Sequence, residues 1–87
     1  MMINRIENSI KRIIEMEFIF DTLQNNMNNK DEVLFKKLYQ RLVEYYESNE
    51  WKEDFHLDEL GLLPSELKRG ILSEDGIYNF ITSLESE

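Results

Sequence analysis

Apolar side chains fall at positions 3, 6, 10, 13, 16, 20, 23 and 27, at spacings of three and four with no Gly or Pro between them. Such spacing predicts one long helix over residues 3–27. At 100° per residue, Ile3, Ile6, Ile10 and Ile13 centre about a quarter-turn from Met16, Phe20, Leu23 and Met27, so the buried stripe drifts as in a near-heptad packing. With Ile14, Phe18 and Ile19 added, the apolar surface exceeds what one partner helix covers. A third element or another subunit is expected to cover the rest, and a twofold homodimer through this first-helix face is one expectation. Glu substitutions at Phe18 and Ile19 would then release folded monomers.

The polar run Asn25-Asn26-Met27-Asn28-Asn29-Lys30 predicts a turn, with Asp31 as N-cap of the next helix. From Val33 to Tyr46, residues Leu34, Phe35, Leu38, Tyr39, Leu42, Tyr45 and Tyr46 share an arc of about 140°, opposite Lys36, Lys37, Gln40, Arg41, Glu44 and Glu47. A short connection between two such helices favours an antiparallel αα-hairpin across residues 3–48. Beyond Ser48 the pattern breaks into isolated apolar residues among acids. Asn49 is expected to cap a brief helix over 50–56, and Gly61 and Pro64 prevent a long one. Residues 65–69 are expected to form a single turn that Gly70 ends at positive φ. Ser73 then caps a last helix over 73–85. Glu74 and Asp75 sit in its first turn, Leu72 is placed to staple against Ile77, and Ile77, Phe80, Ile81 and Leu84 form a narrow apolar face. The fold class expected is all-α: one domain of 87 residues, an antiparallel helical hairpin plus an irregular segment over 49–72 and a C-terminal helix packed on it.

Composition supports a folded chain, with 41% hydrophobic and 32% charged residues. The longest apolar run, Phe18 to Phe20, is too short to span a bilayer. Arg5, Glu7, Lys11 and Arg12 interrupt any apolar core of a signal peptide, so a cytoplasmic location is expected. Charge is polarised: residues 1–43 carry a net +1 and residues 44–87 a net −9. Nucleic-acid binding draws its affinity from basic contacts to phosphate, which this acidic half opposes, so direct binding is not expected.

Catalytic and metal chemistry find little support. There is no Cys and only one His, so neither a thiolate zinc set nor a His cluster is available, and no cofactor is expected. Asp54, Asp58 and Glu59 lie near His56, but without a calcium-loop or HExxH pattern they read as a solvated acidic face. Ser73 lacks a base at motif spacing, and Lys68-Arg69-Gly70 lacks the glycines of a phosphate loop. Lys68 and Arg69 are expected to pair with neighbouring acids. Tyr45, Tyr46, Trp51 and Phe55, interleaved with Glu47, Glu50, Glu53 and Asp54, suit one of three roles. They fasten the irregular segment to the core, with the Tyr hydroxyls and indole N–H finding rim partners, or they form a partner hot spot, or they line a small-molecule pocket.

Tyr45-Tyr46-Glu47-Ser48, Trp51, Asp54, Leu63-Pro64 and the tract Leu67-Lys68-Arg69-Gly70-Ile71-Leu72-Ser73-Glu74-Asp75-Gly76-Ile77-Tyr78 together resemble a family of small acidic bacterial proteins, domain of unknown function 4298. Arg5-Ile6 and Met16-Glu17 are similar to pairs in the family's first helix. The resemblance implies the helical fold and brings no catalytic residue, cofactor or partner. The signature nominates Tyr45, Tyr46, Trp51, Asp54, Phe55, Lys68, Arg69, Ser73, Glu74, Asp75 and Tyr78 as interaction or structural residues. By elimination, the functional expectation is a non-enzymatic module that engages an unidentified protein. The alternative is an acidic inhibitor that mimics nucleic acid before a DNA-processing protein.

Overall fold

The computed structural model describes residues 2–85. Helices α1 (Met2–Asn25), α2 (Val33–Tyr46), α3 (Asn49–Glu59) and α4 (Glu74–Glu85) alternate with 3-10 turns at Met27–Asn29 and Gly70–Leu72, and no strand occurs among the described residues. The fold is all-α. At 1.5 Å rise per residue, α1 is about 36 Å long and sets the 41 Å long dimension of the molecule.

One face of α1 carries Ile13, Met16, Phe20 and Leu23 into the core. Its apolar surface divides differently from the expectation. Ile19 is buried inside the subunit, whereas Ile14 and Phe18 are 56% and 72% exposed. Glu at Phe18 and Ile19 together would therefore disrupt the core through Ile19. The variant that probes the outer face changes Ile14 and Phe18.

The helix ends two residues short of Met27 because Asn26 folds back on it. The Asn26 side chain donates to the Thr22 carbonyl at 2.7 Å, and its carbonyl accepts from the Asn29 amide at 2.8 Å. Helix α2 starts after Glu32, in extended conformation, and no side chain caps it there, so Asp31 is not the cap. α2 then returns along α1: Arg41 meets Glu15 at 2.8 Å. Phe35, Leu42 and Tyr45 are buried, but Leu34, assigned to the same apolar arc, is 66% exposed.

Ser48, rather than Asn49, opens α3. Its hydroxyl donates to the Tyr45 carbonyl at 2.6 Å and accepts from the Trp51 amide at 3.3 Å, so one side chain closes α2 and caps α3. α3 runs to Glu59, three residues beyond the expected end, and terminates in a Schellman arrangement. The Leu62 amide reaches the Leu57 carbonyl and the Gly61 amide the Asp58 carbonyl, with Gly61 at φ 72°. Gly61 is the residue with positive φ; Gly70 is not.

Ser73 behaves as expected, its hydroxyl accepting from the Gly76 amide at 3.3 Å. Ile77 and Ile81 of α4 are buried. Phe80 meets Phe20 edge-on at 5.2 Å, and the Tyr39 hydroxyl donates to the Ile81 carbonyl at 3.4 Å, which fixes α4 against both α1 and α2.

Candidate functional site

Among the described residues, three polar side chains are buried with the apolar core: Ser9, Glu17 and Asp54. Asp54 has no exposed surface. Its Oδ1 accepts from the Ser9 hydroxyl and from Arg12 Nη2 at 2.6 Å; its Oδ2 accepts from the Tyr45 hydroxyl at 2.6 Å and from Arg12 Nε at 3.3 Å. One carboxylate thus joins α1, α2 and α3. The burial follows from helix periodicity, since Trp51, Asp54 and Leu57 are all buried on one face of α3. Asp54 therefore does not belong to a solvated acidic face. Burial requires a partnered charge, and Arg12 supplies the partner from the rim, where Glu50 and Glu53 also approach it at 3.6 Å.

Electrostatics follow this geometry. The Arg12 guanidinium is held above its ordinary pKa chiefly by its hydrogen bond to Asp54, against the opposing effect of burial. The Tyr45 hydroxyl is pushed well above its ordinary 10.0, first by burial and then by the hydrogen bond to Asp54. Above about pH 10 the unfolded chain releases this proton while the folded chain keeps it. The unfolded state then binds fewer protons and stability falls as pH rises, whereas below pH 10 the contribution is intact. Wild type is expected to lose urea resistance above pH 10 more steeply than Tyr45→Phe. Tyrosinate absorbance from Tyr45 in the still-folded protein near pH 10 would contradict this.

The tract around Gly70 is fastened by two further pins. Glu17 of α1 accepts from the Gly70 amide at 2.9 Å and the Ile71 amide at 3.0 Å. The Trp51 indole N–H donates to the Ile71 carbonyl at 3.0 Å. Gly70 is demanded by closeness, since a Cβ there would lie 2.9 Å from Glu17 Oε1. Glu17 can retreat only by giving up those two bonds. Gly70→Ala and Glu17→Ala are each expected to cost about 1–3 kcal/mol. Because both act through one contact, the double variant should lose less than the sum; additive losses in chemical denaturation would contradict the shared contact.

The remaining nominated residues separate clearly. Trp51 packs edge-on to Tyr46 at 5.1 Å and stacks on Phe55 at 5.2 Å, so this aromatic group fastens the segment that follows α3. Tyr46 is half-buried, and its hydroxyl is pushed up by burial and then by the charge of Glu74. Arg69 ties the loop to α3, pairing with Asp58 and donating to the Pro64 and Leu67 carbonyls. Lys68 lies 3.7 Å from Asp21. Glu74, Asp75 and Tyr78 are exposed at the start of α4, apart from the Asp54 network. Among the described residues no group of His or acidic side chains is arranged to hold a metal ion, and no helix is long and apolar enough to cross a membrane.

An apolar cleft lies on the other side of α1. Ile14 and Phe18, one turn apart, form one wall of a cleft of about 470 Å³, and Pro64 and Leu67 form the opposite wall. Glu17, Asp21, Glu66 and Lys68 also line it. Sequence reasoning marked Ile14 and Phe18 as surplus apolar surface but missed the facing wall, which comes from 46 or more residues away. It also missed Ser9, Arg12 and Glu17. The available signal was a polar residue in phase with an apolar stripe: Ser9 and Glu17 share the α1 face of Ile13, Met16 and Phe20.

These features define a small all-α protein built on buried polar pins with an open apolar cleft beside them. The family model for Domain of unknown function (DUF4298) matches residues 3–86, and the chain belongs to that family. No curated protein and no solved structure matches the chain.

Proposed function

We propose that this protein is a non-enzymatic protein-interaction module that docks a partner at the Ile14–Phe18 cleft. The observation that carries this reading is the exposure of two large apolar side chains, 56% and 72%, one turn apart on a long helix and facing a second apolar wall. A concentrated apolar surface rimmed by polar groups is the usual form of an interaction site. The polar groups with unusual environments support the same reading. Asp54 is saturated by donors and shielded from solvent, which leaves it no way to meet a substrate.

Mimicry of nucleic acid is the weaker alternative, because several carboxylates it would display are engaged internally. Glu53 pairs with Arg5, Asp58 with Arg69, and Asp54 is buried. The discriminating experiment compares proteins retained from a lysate by wild type and by the Ile14→Ala/Phe18→Ala variant. Docking at the cleft predicts that partners held by wild type are lost from the variant. Retention by the variant, with loss on neutralising Glu44, Glu47 and Glu50, would favour mimicry instead.

A further inference from the structure

Resting on that docking reading, we infer that the cleft takes an amphipathic helix of a partner protein, with apolar residues one turn apart flanked by Lys or Arg. Shape and charge both lead there. Ile14 and Phe18 stand at i and i+4 on α1, so a helix laid along the cleft meets them with its own i and i+4 side chains. Asp21 and Glu66 stand at the rim, and the Glu17 carboxylate also lines the cleft. Lys68 is the cation among the lining residues; it is 79% exposed and lies 3.7 Å from Asp21. Carboxylates thus outnumber ammonium groups around the apolar walls, in a chain whose net charge is −8. A basic helix gains in association rate and in selectivity from that field.

Other occupants fit less well. A second copy would bring a rim with the same acidic excess, Asp21 and Glu66 against Lys68, up to this one, an arrangement of net like charge. A small molecule in a binding pocket has most of its surface buried, and a wall whose Phe18 is 72% exposed does not enclose one.

The test uses the full chain and two labelled synthetic helical peptides that share Leu at i, i+4 and i+7. One carries Lys at the flanking positions and the other carries Glu. Fluorescence anisotropy at low salt is expected to show the Lys peptide binding at least about tenfold more tightly, with the gap narrowing as salt rises. Phe18→Ala should weaken the Lys peptide about tenfold while circular dichroism stays unchanged. Asp21→Asn with Glu66→Gln should narrow the gap between the peptides while leaving the apolar contribution in place. Equal binding of both peptides, or Lys-peptide binding indifferent to Phe18→Ala, overturns the inference. So does a dimer in sedimentation equilibrium that Phe18→Ala abolishes, because the occupant is then a second copy. If neither peptide binds while lysate partners still depend on Ile14 and Phe18, the basic-helix inference falls and docking stands. If that dependence is also absent, both fall.

Discussion

Asp54→Ala is expected to lower the unfolding free energy by about 3–5 kcal/mol, the range for removing one partner of a buried ion pair. The change deletes the acceptor for Ser9, Tyr45 and both donating nitrogens of Arg12 at once, and the buried Ser9 and Tyr45 hydroxyls lose their partner. At 0.05–0.15 kcal/mol per residue, a chain of this length has a total stability of roughly 4–13 kcal/mol. A loss of that size is a large fraction of that stability, and at the low end of the range it unfolds the chain. Urea denaturation followed by circular dichroism measures it. Asp54→Asn keeps the size but offers one acceptor oxygen in place of two and turns an amide donor toward other donors, so it should still lose about 1–3 kcal/mol. A carboxylate on a solvated face would instead change stability by about 0.5 kcal/mol or less in either variant.

Trp51→Ala is the second large effect, expected at about 3–5 kcal/mol for truncating a buried aromatic residue. Trp51 is 8% exposed, is stacked on Phe55, contacts Tyr46 edge-on, and donates to the Ile71 carbonyl. The loss should be concentrated in the tract it holds. Hydrogen exchange at Ile71, Leu72 and the first turn of α4 should accelerate more than exchange at the centre of α1. Trp51→Phe keeps most of the packing and removes the indole donor, so it separates the two contributions and should cost about 1–2 kcal/mol. Were Trp51 a partner hot spot, truncation would leave exchange and stability near wild type and abolish binding alone.

Local pattern made the helices legible because their cause is local. Spacing of three and four without Gly or Pro encodes α1 and α2, and the Ser73 cap encodes the start of α4. The structural meaning of the Gly70 tract was not legible, since its cause lies 53 residues away in Glu17. A turn reading assigns Gly70 a positive φ, whereas the structure assigns that conformation to Gly61 and requires Gly70 for its lack of a Cβ. Asp54 misled for a related reason. Its acidic neighbours suggested solvent, yet two of its donors, Ser9 and Arg12, arrive from more than forty residues upstream. The cleft was half legible: Ile14 and Phe18 announce unsatisfied apolar surface, and only tertiary structure shows the wall of Pro64 and Leu67.

The account divides the chain into a framework of buried pins and a separate exposed docking wall, so paired denaturation of Asp54→Asn and Phe18→Ala tests it most directly. Asp54→Asn should lose at least about 1 kcal/mol, as expected for a buried group left without its partners. Phe18→Ala should stay within about 0.5 kcal/mol of wild type, as expected for an exposed position. The reverse order, with Phe18→Ala strongly destabilised and Asp54→Asn unchanged, would contradict the division.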